Sequence, residues 1–130
     1  MGAMTIGGLA RAGGVGVETV RYYQRRGLIA EPHRCASASI RRYAAADVQR
    51  LRFIRTAQGA GFTLEQIGEL LGLDASDDRP RVRALAREQI AELDRRIADL
   101  QAARQWLGEL EAECAAGDDG PCPILGALGR

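Results

Sequence analysis

No lysine occurs in these 130 residues: all 18 basic side chains are arginine. Every cationic contact is therefore made by a planar guanidinium, whose fork of N–H donors matches phosphate and carboxylate better than a point ammonium does. No apolar run approaches the length of a membrane span, and the first residues, MGAMTIGGLARAGG, show no charged leader ahead of an apolar stretch. A soluble, cytoplasmic chain without a membrane partner is expected. Cysteine is sparse, three in all, which excludes a disulfide framework in a reducing compartment and leaves free thiols or metal ligands. The single histidine, His33, and the lack of any grouped nucleophile, base and phosphate-cradling loop argue against an enzyme. The length allows one modest domain with an appendage, not a roomy catalytic fold.

A net charge of only +1 hides a division along the chain. Residues 1–60 hold ten arginines against three carboxylates, and the remainder eight arginines against fourteen. An N-terminal half that faces an anion and an acidic C-terminal half with a different task are the consequence of that split. Within the basic half, VETVRYYQRRGL (Val17 to Leu28) places two tyrosines among three arginines on a short amphipathic helix. Guanidinium and phenol groups on one turn suit a phosphate backbone, a solvated basic helix being the bland alternative. Thr5 is placed to cap a preceding helix from Ile6 to about Ala12, with Ile6, Leu9 and Ala10 inward. Gly13–Gly14 then turns the chain into the second helix, about Val17 to Arg26. Two short helices across a glycine turn form a helix-turn-helix, whose second helix enters the major groove. EPHRCASASIRRY then reads as a wing that brings Arg41 and Arg42 to the flanking backbone, with His33 a surface residue and Cys35 a bystander.

Asp47 stands near the start of a third helix carrying Val48, Leu51, Phe53, Ile54 and Ala57. Thr63 caps a fourth with Leu64, Ile67, Leu70 and Leu71 on one stripe. These apolar sets are core. DASDD (74–78) serves as a linker and as the acidic N-terminus of the next helix. From about Pro80 to Glu113, Ile90, Leu93, Ile97, Leu100 and Leu107 form a seam broken by Arg104, about 34 residues and roughly 50 Å long at ~1.5 Å per residue. Such a seam needs a partner, and a second copy of the chain is the simplest one. Domains of 1–73 (head), 79–113 (dimerisation helix) and 114–130 (effector loop and short C-terminal helix from Pro123) are expected. Cys114 and Cys122 flank seven loop residues rich in glycine, aspartate and proline. Two thiolates without a nearby histidine favour Cu(I), Ag(I), Au(I) or Hg(II) over four-coordinate zinc. A disulfide-closing redox switch, a coiled-coil adaptor or metal buffer, and two unremarkable thiols remain as other readings.

Taken in order, TIGGLARAGGVGVETVRYYQRRGL, SIRRY, ADVQRLRFI, AQGAGFTLEQIGELL, the long helix and the terminal C-x7-CPI resemble the MerR family of transcriptional regulators over almost the whole chain. The resemblance implies a mainly α fold: a winged helix-turn-helix head plus a long helix forming an antiparallel coiled-coil homodimer. It further implies a metal-responsive repressor and activator that distorts double-stranded promoter DNA for RNA polymerase. Thr19, Arg21, Tyr22 and Tyr23 fall on recognition-helix positions, and Arg41, Arg42 and Tyr43 on the wing. Cys114 and Cys122 fall on the two loop cysteines of the metal-sensing branch. The head and AQGAGFTLEQI look most like mercury-resistance regulators, which have a third cysteine where this chain has Arg79. The loop CAAGDDGPC is similar to that of copper-efflux regulators, with two thiolates for Cu(I), Ag(I) or Au(I). The body outweighs the loop, so Hg(II) is the expected signal.

Overall fold

The computed structural model describes residues 4–32, 42–117 and 119–129. Six helices account for most of them: α1 (Ile6–Gly13), α2 (Val17–Arg25), α3 (Ala45–Gly59), α4 (Leu64–Ser76), α5 (Arg79–Ala116) and α6 (Pro123–Ala127). The mainly α class is as expected, and among the described residues no strand ladder forms. One antiparallel bridge joins Met4 and Tyr43 through both backbone groups, N–H to O at 2.8 and 2.7 Å. It anchors the base of the segment expected to be the wing. Residues 33–41 themselves, with His33, Cys35 and Arg41, lie outside the described residues.

The chain divides into two compact units, residues 1–85 and 86–130. In the first, local capping sets where each helix begins. Thr5 Oγ1 accepts from Gly8 N–H at 3.2 Å ahead of α1, and Asp47 Oδ2 accepts from Ala44 N–H at 2.8 Å ahead of α3. Thr63 and Gln66 exchange reciprocal bonds at 2.9 and 3.1 Å ahead of α4. Each satisfies backbone donors that a helix start leaves orphaned. Gly14 closes α1 in the left-handed region (φ 71°), which lets Val15 N–H reach back to Ala10 O at 2.9 Å. Glycine takes that conformation without the steric penalty of a Cβ.

Leu9, Val20, Ile29, Leu51, Ile54 and Ile67 are fully buried and knit α1 to α4 into one core. Apart from Ile29, which lies beyond α2, these residues fall at helical spacing, whereas Phe53, expected in the core, is 38 % exposed. At Gly13 a Cβ would stand 2.2 Å from Leu51 Cδ2. The contact of α1 with α3 is thus set by the missing side chain.

The end of α4 differs from expectation, while the start of α5 agrees with it. Helix α4 runs on through Ser76, because nothing in DAS breaks it until Asp77 adopts a left-handed conformation (φ 61°). Helix α5 starts at Arg79 with Pro80 in its first turn, and Asp78 Oδ1 accepts from Arg81 N–H at 3.2 Å. The expected acidic linker is therefore a tight corner with a cap. Arg81 grips the Glu69 carboxylate with two donors, at 2.5 and 3.1 Å, and tethers the start of α5 to α4. That hydrogen bond holds Glu69 below its ordinary carboxylate value.

In the second unit, α5 continues to Ala116, past Gly108. Ile97 and Leu100 stand 52 and 70 % exposed, and Ile90 and Leu107 are exposed beside them along the helix. Of the five apolar positions read as a seam, these four are exposed in the single chain and Leu93 is half-buried.

Candidate DNA-binding face and thiol site

Helix α2 begins after Gly16 and presents its side chains in two groups. Val20 and Tyr23, three residues apart, turn into the core. Arg21, Tyr22, Arg25 and Arg26 are exposed, and Thr19 is half-buried. Arg21 pairs with Glu18 one turn earlier at 3.3 Å. Arg42, the described arginine of the wing base, is exposed next to the Met4–Tyr43 bridge.

Tyr23 and Tyr43, which the resemblance places at recognition-helix and wing positions, are in the core, each only 3 % exposed. Their hydroxyls brace the head. Tyr23 donates to Gln58 Oε1 on α3 at 2.5 Å, and Tyr43 accepts from Gln24 Nε2 on α2 at 2.6 Å. Burial pushes the Tyr23 phenol above its ordinary value, against the pull of the nearby Arg55 charge. Neighbouring residues of one helix are thus tied in two directions, α2 to α3 through Tyr23 and α2 to the wing base through Gln24. A third tie is Arg50 Nε, which donates to Leu28 O at 2.7 Å, just beyond α2. Nothing in the local sequence singles out Gln24, Gln58 or Arg50, since each partner is 19 to 35 residues away.

The thiol site lies within the second unit. Cys114 is in the last turn of α5, and Cys122 is the residue preceding Pro123 at the start of α6. Both are half-exposed free thiols, and each influences the other's titration. The backbone N–H of Leu125 at the start of α6, and after it that of Ile124, draws the Cys122 pKa below the ordinary thiol value, against the opposing effect of desolvation. Cys114 is pushed above it by the hydrogen bond and charge of Cys122, then by desolvation and by Glu111. Of the two, Cys122 gives up its proton more readily than Cys114. The expected pair therefore stands together, at a helix end and a helix start. Among the described residues no group of three or more histidine, cysteine or acidic side chains is arranged to hold a metal. The donor set is two sulfurs. It fits a soft ion of low coordination number and does not fit tetrahedral zinc.

The family model of the MerR helix-turn-helix regulatory proteins matches residues 4–73, more than half the chain, and the MerR DNA-binding model matches residues 48–110. The chain belongs to the MerR family. As a MerR-family protein it is a DNA-binding transcription regulator rather than an enzyme, with the helix-turn-helix in α1 and α2. The mercuric resistance operon regulatory protein of Shigella flexneri is 41 % identical over 126 residues, covering 96 % of this chain and 87 % of that protein. Among solved structures, the regulator PbrR691 of Ralstonia metallidurans in complex with lead(II) superposes with a TM-score of 0.74 at 34 % identity, covering 97 % of this chain and 99 % of the other. The dual-function MerR of Bacillus megaterium in complex with mercury(II) gives 0.63 at 35 % identity, covering 98 % and 100 %. No helix among the described residues of this MerR-family chain is long and apolar enough to cross a membrane.

Proposed function

We propose that this regulator binds promoter DNA as a homodimer and responds to a thiophilic metal ion held by Cys114 and Cys122, with Hg(II) as the signal. The observation that carries the reading is the pair of free, mutually influencing thiols at the end of α5 and the start of α6. Two thiolates neutralise a divalent mercuric ion and satisfy its preference for two soft ligands, so the pair needs no third donor. The mercury-resistance regulator and the mercury-bound structure among its relatives support the same ion. Monovalent Cu(I), Ag(I) or Au(I) is the second reading. It is favoured by the loop CAAGDDGPC, whose length and GDD resemble those of copper-efflux regulators; Arg79, near the start of α5, matches neither the cysteine of the mercury-resistance regulators nor the serine usual in the copper-efflux ones.

On the DNA side, Thr19, Arg21 and Tyr22 on α2 and Arg41 and Arg42 of the wing are the contacting residues. Tyr23 and Tyr43 set the angle of that surface from within. The exposed seam Ile90, Ile97, Leu100 and Leu107 is the surface for a second copy, paired as an antiparallel coiled coil. The domains are then a DNA-binding head over 1–73, a dimerisation helix over 79–113 and an effector segment over 114–130. Metal binding selects one of two dimer shapes, and RNA polymerase reads the resulting shape of the DNA.

Thiolate-to-metal charge-transfer absorption tests the site directly. The reduced protein is expected to bind one Hg(II) per Cys114–Cys122 pair, and both Cys114→Ser and Cys122→Ser to lose that binding while still shifting promoter DNA. Metal binding retained in either variant would place the effector site elsewhere. An unresponsive reduced protein whose footprint changes only on oxidation would favour the redox switch instead.

A further inference from the structure

On the exposed face of α2 the guanidinium carbons of Arg25 and Arg26 lie 5.8 and 6.0 Å from the centroid of the Tyr22 ring. Arg26 Nη1 also donates to the Tyr22 hydroxyl at 3.3 Å. Positions 22, 25 and 26 are i, i+3 and i+4, so the helix itself brings them to one face. Their surroundings differ from those of Arg21, whose charge is answered by Glu18. Among the described residues, neither Arg25 nor Arg26 forms an ion pair with a carboxylate. A carboxylate partner cancels a guanidinium charge, whereas an aromatic face attracts the cation through its quadrupole and leaves the charge intact. Two rotamer-rich side chains are therefore restricted in advance with their charge uncancelled, which lowers the ordering cost of meeting an anion. The ring is 40 % exposed, so the whole group stands at the surface rather than in the core.

We propose that Tyr22 is a platform that positions Arg25 and Arg26 as a paired grip on the phosphodiester backbone of duplex DNA. This rests on the DNA-binding reading and adds two phosphate ligands and a positioning residue to it. The grip reads no base, so it strengthens binding to any duplex alike.

Salt dependence of binding tests it, with a duplex selected from random sequence by the wild-type protein and an unrelated duplex of the same length. Each phosphate neutralised adds about 0.9 to the slope of log affinity against log salt. Arg25→Ala and Arg26→Ala are each expected to lower that slope by about one on both duplexes. Tyr22→Phe keeps the ring and should bind within about twofold of wild type, while Tyr22→Leu should lose about two- to fivefold. A purely structural role at the end of α2 would change thermal stability and leave the slope alone. Unchanged slopes in both arginine variants would overturn the proposal, as would equal losses in Tyr22→Phe and Tyr22→Leu, which would assign the contact to the hydroxyl. If Tyr22→Leu does not fold, the two arginine variants decide the matter by themselves. A wild-type protein that binds neither duplex would overturn the DNA-binding reading, and the platform with it.

Discussion

Cys122 and Cys114 are the same chemical group in two electrostatic settings. The N–H groups of Leu125 and Ile124 stabilise negative charge on Cys122, and that sulfur in turn makes a second thiolate next to it unfavourable at Cys114. Because ligation needs both thiolates, binding must expel the proton that Cys114 holds above the usual thiol range. A raised pKa extends proton competition to higher pH, so apparent metal affinity should keep climbing as pH rises through and beyond the ordinary thiol value. Titration calorimetry in buffers of different ionisation enthalpy should count the released protons at each pH. Glu111 contributes to that upward push, so Glu111→Gln should bind more tightly at neutral pH and stop releasing the Cys114 proton at a lower pH than wild type. An affinity flat with pH through this range would contradict the assignment. Tyr23 offers a residue-scale test in the head. Tyr23→Phe strands Gln58 without its donor and should cost about 0.5–1.5 kcal/mol in urea unfolding.

At the scale of elements, the head depends on close approach. Gly13→Ala drives a Cβ into the fully buried Leu51, and α1 or α3 must give way. A loss of about 1–3 kcal/mol is expected, and about 2–5 kcal/mol for Leu51→Ala, both measured by denaturant unfolding. A Gly13→Ala protein as stable as wild type would show that the two helices are not held as closely as described. The helices themselves are legible in the sequence because their signals are local. Thr5, Asp47 and the Thr63–Gln66 pair sit within three residues of the backbone groups they cap, and Leu9, Val20, Leu51 and Ile67 fall at helical spacing. Tyr23 and Tyr43 mislead for the opposite reason. With arginines beside them in the sequence, they look like surface groups, and the bonds to Gln58 and Gln24 that hold them inside come from distant positions. One cue is present for Tyr23: its three-residue spacing from Val20. Similarly, C-x7-C marks the right pair of thiols, while the pull of α6 on one of them depends on a five-residue helix whose N–H directions no spacing reveals.

For the whole molecule, the division of charge matches a division of labour. The arginine-rich first half builds the head, and the acidic second half carries the apolar seam and the thiols. Leu100, 70 % exposed in the single chain, is the point at which dimerisation is most readily tested. Leu100→Glu should shift sedimentation from dimer toward monomer and weaken operator binding steeply, since a dimer grips two half-sites at once. The central claim joins the two halves: a metal held by Cys114 and Cys122 changes transcription from DNA held by the head. Transcription in vitro from the regulator's own promoter, with reduced wild-type, Cys114→Ser and Cys122→Ser proteins under Hg(II), Cu(I), Ag(I), Au(I), Zn(II) and Cd(II), measures it most directly. The account predicts induction of the wild type by Hg(II) and none by Zn(II), with both serine variants occupying the promoter yet silent to every ion. Induction that persists in either serine variant, or a wild type that answers no thiophilic ion, would contradict it.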